Sequence, residues 1–442
     1  VGLSLGASLL APAEWNARAL TLVVSTLLGL GVAELALQSL VGARYARPFR
    51  QDARVLYRLA PGAVSEHMRA AVNGGERIRH RINEAGFRGD ELRADPRDVR
   101  IVVYGDSFIQ AVFSMQGNTF ADRLENRLST RIGASVEVVN AGVAGYGPDQ
   151  ILRKMQDELP ELRPDLVLVA IFAGNDFGDL LRNKLYRLDP DGGLRENHPT
   201  LAPDLEASLA LAGREFILKR LARDGLGTLR AFASTEARGL ASMTPSERMD
   251  LFLEQRRKEY LENVVQGDDV VRNLTSDTYD ADVSLTPDAD SARYKIELME
   301  GILVLIRDLA ARIPVDLALV LIPHPLDVGG HETGEVDRVR YPNYDSRRPT
   351  AIVERIAAQH GIAHLNLFEP FAERGASELF FRGFDDHWND RGQDVAAELV
   401  ADFLVSRGLL DAAMLRLRGL AGDASGTGKD LHSATRPRPD LR

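Results

Sequence analysis

Five short apolar runs constrain this chain more than any other feature. They lie at 101–103 (IVV), 136–139 (VEVV), 165–172 (DLVLVAIF), 315–322 (VDLALVLI) and 362–367 (IAHLNL). Between most of them, apolar residues recur at helical spacing, as in Phe120, Leu124 and Leu128, or Ile296, Met299, Leu303 and Ile306. Strands that alternate with helices pair in parallel through right-handed crossovers, because each helix carries the chain back to the edge where the next strand starts. The pattern predicts an α/β fold with a five-stranded, doubly wound parallel sheet. Sheets of this kind bind ligands beyond the carboxyl ends of their strands.

The first run leads into Gly105-Asp106-Ser107, so a buried strand is expected to end in a tight turn that carries a serine. Glycine allows the backbone angles that such a turn needs. On the tripeptide alone two readings stay open: Ser107 as a nucleophile, or Asp106 or Ser107 as the cap of the next helix. The second and third strands end in NAGVAGYG (140–147) and AGND (173–176). Parallel strands put all three ends on one rim. A serine, a glycine turn with backbone N–H groups and the Asn175 amide are what attack on a carbonyl and stabilisation of its oxyanion require.

A base occurs late, in GFDDHWNDRGQ. His387 follows Asp385 by two residues, so in an extended segment both side chains share a face and the carboxylate can orient the imidazole. Asp386 would then point the other way. The next helix is expected to be capped by Asp390 with Gln393 three residues on, and to bury Val395, Leu399, Val400 and Phe403.

These four blocks, GDS, NAGVAGYG, AGND and DDHWN, resemble in kind and order those of the SGNH, or GDSL-like, hydrolase superfamily. The resemblance covers about residues 80–410. It implies a flavodoxin-like three-layer sandwich, with Ser107 as nucleophile, His387 as base, and Ser107, Gly145 and Asn175 as oxyanion donors. The family commonly carries Asp three residues before the histidine, where this chain has Phe384. The D-x-H-W-N form is similar to acetyltransferase-like members that modify exopolysaccharides, which implies Asp385 as the third member and leaves Asp386 open. The expected activity is a serine esterase acting on a small acyl ester, such as the O-acetyl groups of an envelope glycan. An O-acyltransferase on exopolysaccharide and a catalytically silent binding or assembly protein are the alternatives. No cofactor is expected.

Residues 19–33 carry no charge, and apolar character continues past Glu34 to about Ala43. A stretch of about 23 to 25 residues can cross a bilayer as a helix. Residues 1–44 therefore form the expected membrane anchor, and the membrane is a partner through it. Arg18 precedes the span, while Arg44, Arg47, Arg50 and Arg54 follow it, which by charge alone favours a cytoplasmic domain. The resemblance to membrane-anchored bacterial members implies an extracytoplasmic one instead. Residues 45–100 read as a linker and lead-in in which Phe87 packs onto the domain. The hydrolase-like domain spans 101–412, with a mostly helical insertion at about 183–290. The tail, 421–442, is rich in Gly, Ser, Thr, Arg and Pro and is expected to be disordered.

A net charge of −10 without a basic run argues against nucleic acid as a partner. The absence of cysteine excludes thiol chemistry and Cys-ligated zinc. GVAGYG lacks the G-x-G-x-x-G spacing of a dinucleotide fingerprint, and no G-x-S-x-G elbow is present. His324, Asp327, His331 and Glu332 follow no recognised metal-ligand spacing and read as an acidic surface loop, so no metal site is expected.

Overall fold

The structure, a computed structural model, describes residues 13–45, 48–94, 99–210, 243–274, 279–329, 335–383 and 386–417. The expected disordered tail, 421–442, lies outside them, as do Asp385, His331 and Glu332. The chain opens with helix α1 (Ala13–Tyr45). Two hairpins follow, β1 (Phe49–Asp52) with β2 (Leu56–Leu59) and β3 (Val64–Met68) with β4 (Arg77–Arg81). The alternating part then runs through β5 (Val99–Tyr104), α2 (Ser107–Gln110), α3 (Phe120–Ile132), β6 (Val136–Asn140), α4 (Pro148–Leu162), β7 (Leu166–Phe172) and α5 (Asp176–Asn183).

An interrupting segment contributes β8 (Tyr186–Leu188), β9 (Leu194–Glu196), β10 (Thr200–Leu201), α6 (Pro203–Ala210), α7 (Pro245–Tyr260), β11 (Val270–Val271) and α8 (Ala281–Leu285). The alternation resumes with α9 (Asp290–Arg312), β12 (Asp316–Ile322), α10 (Pro325–Val328), α11 (Arg348–Gln359) and β13 (Ala363–Asn366). Short helices at 368–372 and 376–379 precede α12 (Asp390–Ser406).

Strands β13, β12, β7, β5 and β6 form the five-stranded sheet in that order, and every pair is parallel. Counted from β6, the order is second, first, third, fourth, fifth. The direction of winding therefore reverses between β5 and β7, and a crevice opens at their carboxyl ends.

Both faces of the sheet are covered, which is why its strands read as continuous apolar runs rather than alternating ones. On one face Val102, Val167, Val169, Leu319 and Leu321 pack against α4, α9 and α11 through residues such as Met155, Ile302 and Val353. On the other, Ile101, Leu168, Ala170 and Val320 meet α3 and α12 through Leu124, Leu128, Val395 and Val400. This is the expected three-layer arrangement.

Residues 48–94 pack Phe87 onto the domain, as expected of the lead-in, and their hairpins also join the core through Val55, Tyr57, Leu59 and Ile82. Arg88 reaches the sheet edge as an isolated bridge to Asn140 of β6. In the described part of the insertion the helices are accompanied by two short strand pairs, β8 with β9 antiparallel and β10 with β11 in parallel. Pairs of two or three residues are too short to show as periodicity in sequence.

Helix α1 behaves unlike the other long helices. Over Leu20–Leu37 its mean hydropathy is 2.0, yet only 6% of that window is buried. Leu20, Leu22, Leu27, Leu28, Val32 and Leu35 all face outward. The buried member is Glu34, and α1 lies against β3.

Candidate active site

The site is assembled from three turns at the carboxyl edge and one late loop. Asp106 caps α2 by accepting a hydrogen bond from Phe108 N (2.9 Å). Ser107 takes the first helical position. Asp106 is thus the cap, and Ser107 opens the helix at the carboxyl edge of the sheet. Gly105 has no left-handed φ; a side chain is excluded there because a Cβ would lie 2.4 Å from Ile109 Cγ1 and 3.2 Å from Ala170 Cβ. Close packing explains this glycine, where a special backbone angle was expected.

Four helical residues cannot hold their own shape, since a single turn is an unfavourable nucleus. Neighbouring segments do so instead. Arg88 Nη1 donates to the carbonyls of Gln110 and Ala111, and its Nη2 to Ser114 O (2.6 Å). Burial lowers the Arg88 pKa to about 10, which still leaves the guanidinium charged at neutral pH. His80 Nε2 donates to Val112 O (2.6 Å), and burial, then Arg88 and His67, push its pKa down to about 2, so the ring is neutral.

The second block closes over the other side of α2. Asn140 Nδ2 donates to Ile109 O (2.7 Å), Ala144 N to Gln110 Oε1 (2.6 Å), and Val143 N to Gly105 O (3.0 Å). A Cβ on Gly142 would lie 2.3 Å from Gln110 N. Gly145 has φ +77°, and among the described residues its N–H meets no acceptor.

Asn175 ends β7 as the N-cap residue of α5 and is nearly buried. Its turn is anchored by a residue about a hundred positions later. Asp280 N donates to Gly174 O (2.7 Å), and Asp280 Oδ2 accepts from Gly178 N (2.9 Å). Behind it, Lys295 Nζ donates to Asp280 Oδ1 (2.7 Å) and Asp282 Oδ1 (2.9 Å). Burial would lower the Lys295 pKa, but Asp280, Asp282 and Glu259 outweigh it and raise it, so the ammonium stays charged. Asp176, next to Asn175, accepts from Phe172 N (2.8 Å). Burial, then the carboxylates of Asp106 and Asp179, push its pKa well up.

His387 arrives on a loop fixed by its two successors. Trp388 is fully buried and packs edge-on to Phe108 at 5.2 Å. Asn389 donates from Nδ2 to Glu378 O (2.9 Å) and Phe380 O (3.0 Å). Its Oδ1 accepts from Arg391 N and Gly392 N, so Asn389 rather than Asp390 caps α12. Gln393, expected to complete that cap, instead accepts from Phe120 N (2.7 Å).

The loop brings His387 Nε2 to 2.7 Å from Ser107 Oγ. The imidazole stacks on Phe108 at 5.2 Å, and Asp386 Oδ1 lies 3.3 Å from His387 Nδ1. Asp386 was expected to face away from the histidine, as the outward member of an extended segment; the loop turns between the two residues and places its carboxylate on the ring. Asp385, the expected partner, lies outside the described residues.

Beyond Asp386 stands His324, whose Nε2 is 4.0 Å from Asp386 Oδ2. His324 Nδ1 accepts from Leu326 N (3.1 Å), which leaves the proton of the neutral ring on Nε2, toward Asp386. His324 and Asp327 do not form the expected surface loop. Asp327 is buried, and its Oδ1 accepts from the hydroxyls of Tyr279 (2.7 Å) and Tyr344 (2.8 Å). Burial pushes its pKa up to about 7, against the two tyrosines, which lower it. Arg88, Asp280 and Lys295 carried no functional signal in the sequence, because their partners are backbone groups or residues distant along the chain.

No family model matches the chain, and no curated protein matches it. Among solved structures it is similar to a lipase/acylhydrolase from Enterococcus faecalis, at 13% identity over 70% of this chain and 96% of that one, with a TM-score of 0.34. An esterase from Pseudoalteromonas sp. shows 12% identity over 70% and 98%, TM-score 0.33. An acetyl xylan esterase shows 13% identity over 70% and 99%, TM-score 0.33. These likenesses are distant.

Two outcomes are expected from this geometry. Gly142→Ala forces the second block off α2 and should lower stability by about 1–3 kcal/mol, the usual scale of overpacking; an unchanged denaturation midpoint would show that the loop yields freely. Asp327 binds its proton more tightly folded than unfolded, so its contribution to stability falls as pH rises from about 4 to about 7, by up to ~1.4 kcal/mol per pH unit. Asp327→Asn keeps the acceptor for both tyrosines and should flatten the fall in melting temperature between about pH 4 and 7. A variant that follows the parent slope would remove Asp327 as its source.

Proposed function

We propose that this protein is a serine esterase that cleaves a small acyl ester. The observation that carries the reading is the 2.7 Å hydrogen bond between Ser107 Oγ and His387 Nε2, made at the crevice where the winding of the sheet reverses. A solvent-facing serine bonded to an imidazole has little structural use, whereas a nucleophile needs such a base within reach.

In this mechanism Ser107 Oγ attacks the ester carbonyl while His387 Nε2 takes its proton. A C–O bond forms and the carbonyl oxygen becomes an oxyanion. The backbone N–H groups of Ser107 and Gly145 and the side-chain amide of Asn175 stabilise that charge. Collapse breaks the bond to the leaving alcohol, which receives the proton from His387. Water, activated by the same imidazole, then releases the acid. Asp386 on Nδ1 holds the tautomer that leaves Nε2 free to accept, and it stabilises the imidazolium. Asp386 thus takes the role that sequence spacing assigned to Asp385.

The acyl group is small in this reading, and the O-acetyl groups of an envelope glycan are the proposed substrate. Transfer to a sugar hydroxyl differs only in the acceptor at the second step. We further propose that α1 anchors the protein in a membrane, because its outward leucines and valines find no cover in the protein. In this reading the catalytic part lies outside the cytoplasm, which the resemblance to membrane-anchored bacterial members supports and the flanking arginines do not.

Ser107→Ala should abolish labelling by a fluorophosphonate probe and turnover of p-nitrophenyl acetate while leaving the circular dichroism spectrum intact; undiminished labelling of the variant would place the nucleophile elsewhere. Asp386→Asn should lower turnover by about 10⁴-fold, as in the serine-triad template, and Asp385→Asn should have little effect. The reverse ranking would return the role to Asp385. For the anchor, the full chain should partition into the detergent phase on Triton X-114 separation, and a chain starting at Pro48 into the aqueous phase. Both remaining aqueous would rule the anchor out.

A further inference from the structure

The β3–β4 hairpin lies outside the five-stranded sheet, yet its Arg69 meets Phe113, Phe381 and Asp390, three residues around His387. Arg69, just after β3, is only 9% exposed. Its Nε and Nη2 donate to Phe113 O (3.1 and 2.6 Å), and the Phe113 ring meets His387 edge-on at 5.3 Å. Its Nη2 also donates to Asp390 Oδ1 (3.2 Å), three residues after the histidine. The guanidinium lies over the Phe381 ring at 5.0 Å, and Phe381 N donates to His387 O (2.9 Å). Nη1 reaches Glu76 Oε2 (3.3 Å) across the hairpin. Asn73, in the same hairpin, exchanges two hydrogen bonds with the Arg382 backbone, from Nδ2 to O (3.1 Å) and from N to Oδ1 (2.8 Å).

We infer that Arg69 is a positioning residue for His387, joining the loop after the serine to the loop that carries the base. This rests on the esterase reading above. Ser107 and His387 stand on elements with no covalent reason to share a register. A planar fork with five donors can bond a carbonyl and a carboxylate while stacking on a ring; an ammonium cannot do all three. Arg69 therefore fixes the distance between base and nucleophile without touching substrate.

The test uses the full chain in detergent, with Arg69→Lys, Arg69→Ala and the control Arg79→Gln, which alters an exposed arginine of β4. Both Arg69 variants should lose about 10- to 100-fold in kcat on p-nitrophenyl acetate, the scale of a slight misplacement of reacting groups, with KM within about twofold of the parent. Millimolar guanidinium ion should restore part of the Arg69→Ala activity and none in Ser107→Ala. Arg79→Gln should match the parent. In ¹³C-histidine NMR, the ring signal of His387, identified by its loss in His387→Asn, should shift or broaden in Arg69→Lys but not in Arg79→Gln. If Arg69→Ala does not fold, Arg69→Lys decides alone. A folded Arg69→Lys with parental kcat and an unmoved His387 signal would overturn the inference. A parent chain without turnover or fluorophosphonate labelling would instead sink the esterase reading, and the NMR comparison would still decide whether Arg69 holds the ring.

Discussion

One hydrogen bond joins side chains 280 residues apart, Ser107 to His387, and most of the supporting structure can be traced to the need to hold it at 2.7 Å. The serine stands on a helix of four residues, too short to be stable alone. The histidine stands on a loop just before a buried tryptophan and a helix cap. Neither element carries its own rigidity, so each takes it from neighbours. Arg88, His80 and Asn140 bind carbonyls around α2, and Asn389 binds those of the histidine loop.

Several of these supports are buried ions, which are weak evidence of net stability because desolvation offsets most of their attraction. Their effect is on geometry. A guanidinium such as Arg88, surrounded by three carbonyls, has a narrow set of acceptable positions, and so do the carbonyls. Lys295 between Asp280 and Asp282 does the same for the turn that holds Asn175. Removing one partner would leave a charge stranded in the interior, so these groups resist drift more than an apolar contact of equal size would.

The parts outside the five-stranded sheet thereby acquire a role. The hairpin segment between α1 and β5 braces the nucleophile turn from one side, and the segment between α5 and α9 braces the asparagine turn from the other. Aromatic rings fill the space between them: Phe113, His387, Phe108, Phe172, His324 and Tyr279 follow one another across the site, with neighbouring centroids 4.4–5.8 Å apart. The rings limit rotation of both imidazoles while leaving their nitrogens to polar partners.

The sequence by itself determined the sheet, because an apolar run buried on both faces and an amphipathic helix are local patterns that burial alone selects; all five runs became strands within two residues of their expected bounds. It also determined which chemistry-bearing residues reach the rim, since parallel strands leave no choice of edge. Only the tertiary structure decided what stands next to them. The extended geometry expected for 385–387 turns Asp386 away, but the fold brings its carboxylate to 3.3 Å from the imidazole. Asp280 and Arg69 had no legible purpose, because each acts on backbone atoms or on residues far along the chain. Side-chain type and spacing encode which face a residue takes. They do not encode a contact whose partner is a peptide carbonyl brought near by packing, and such contacts set the final ångström of this site.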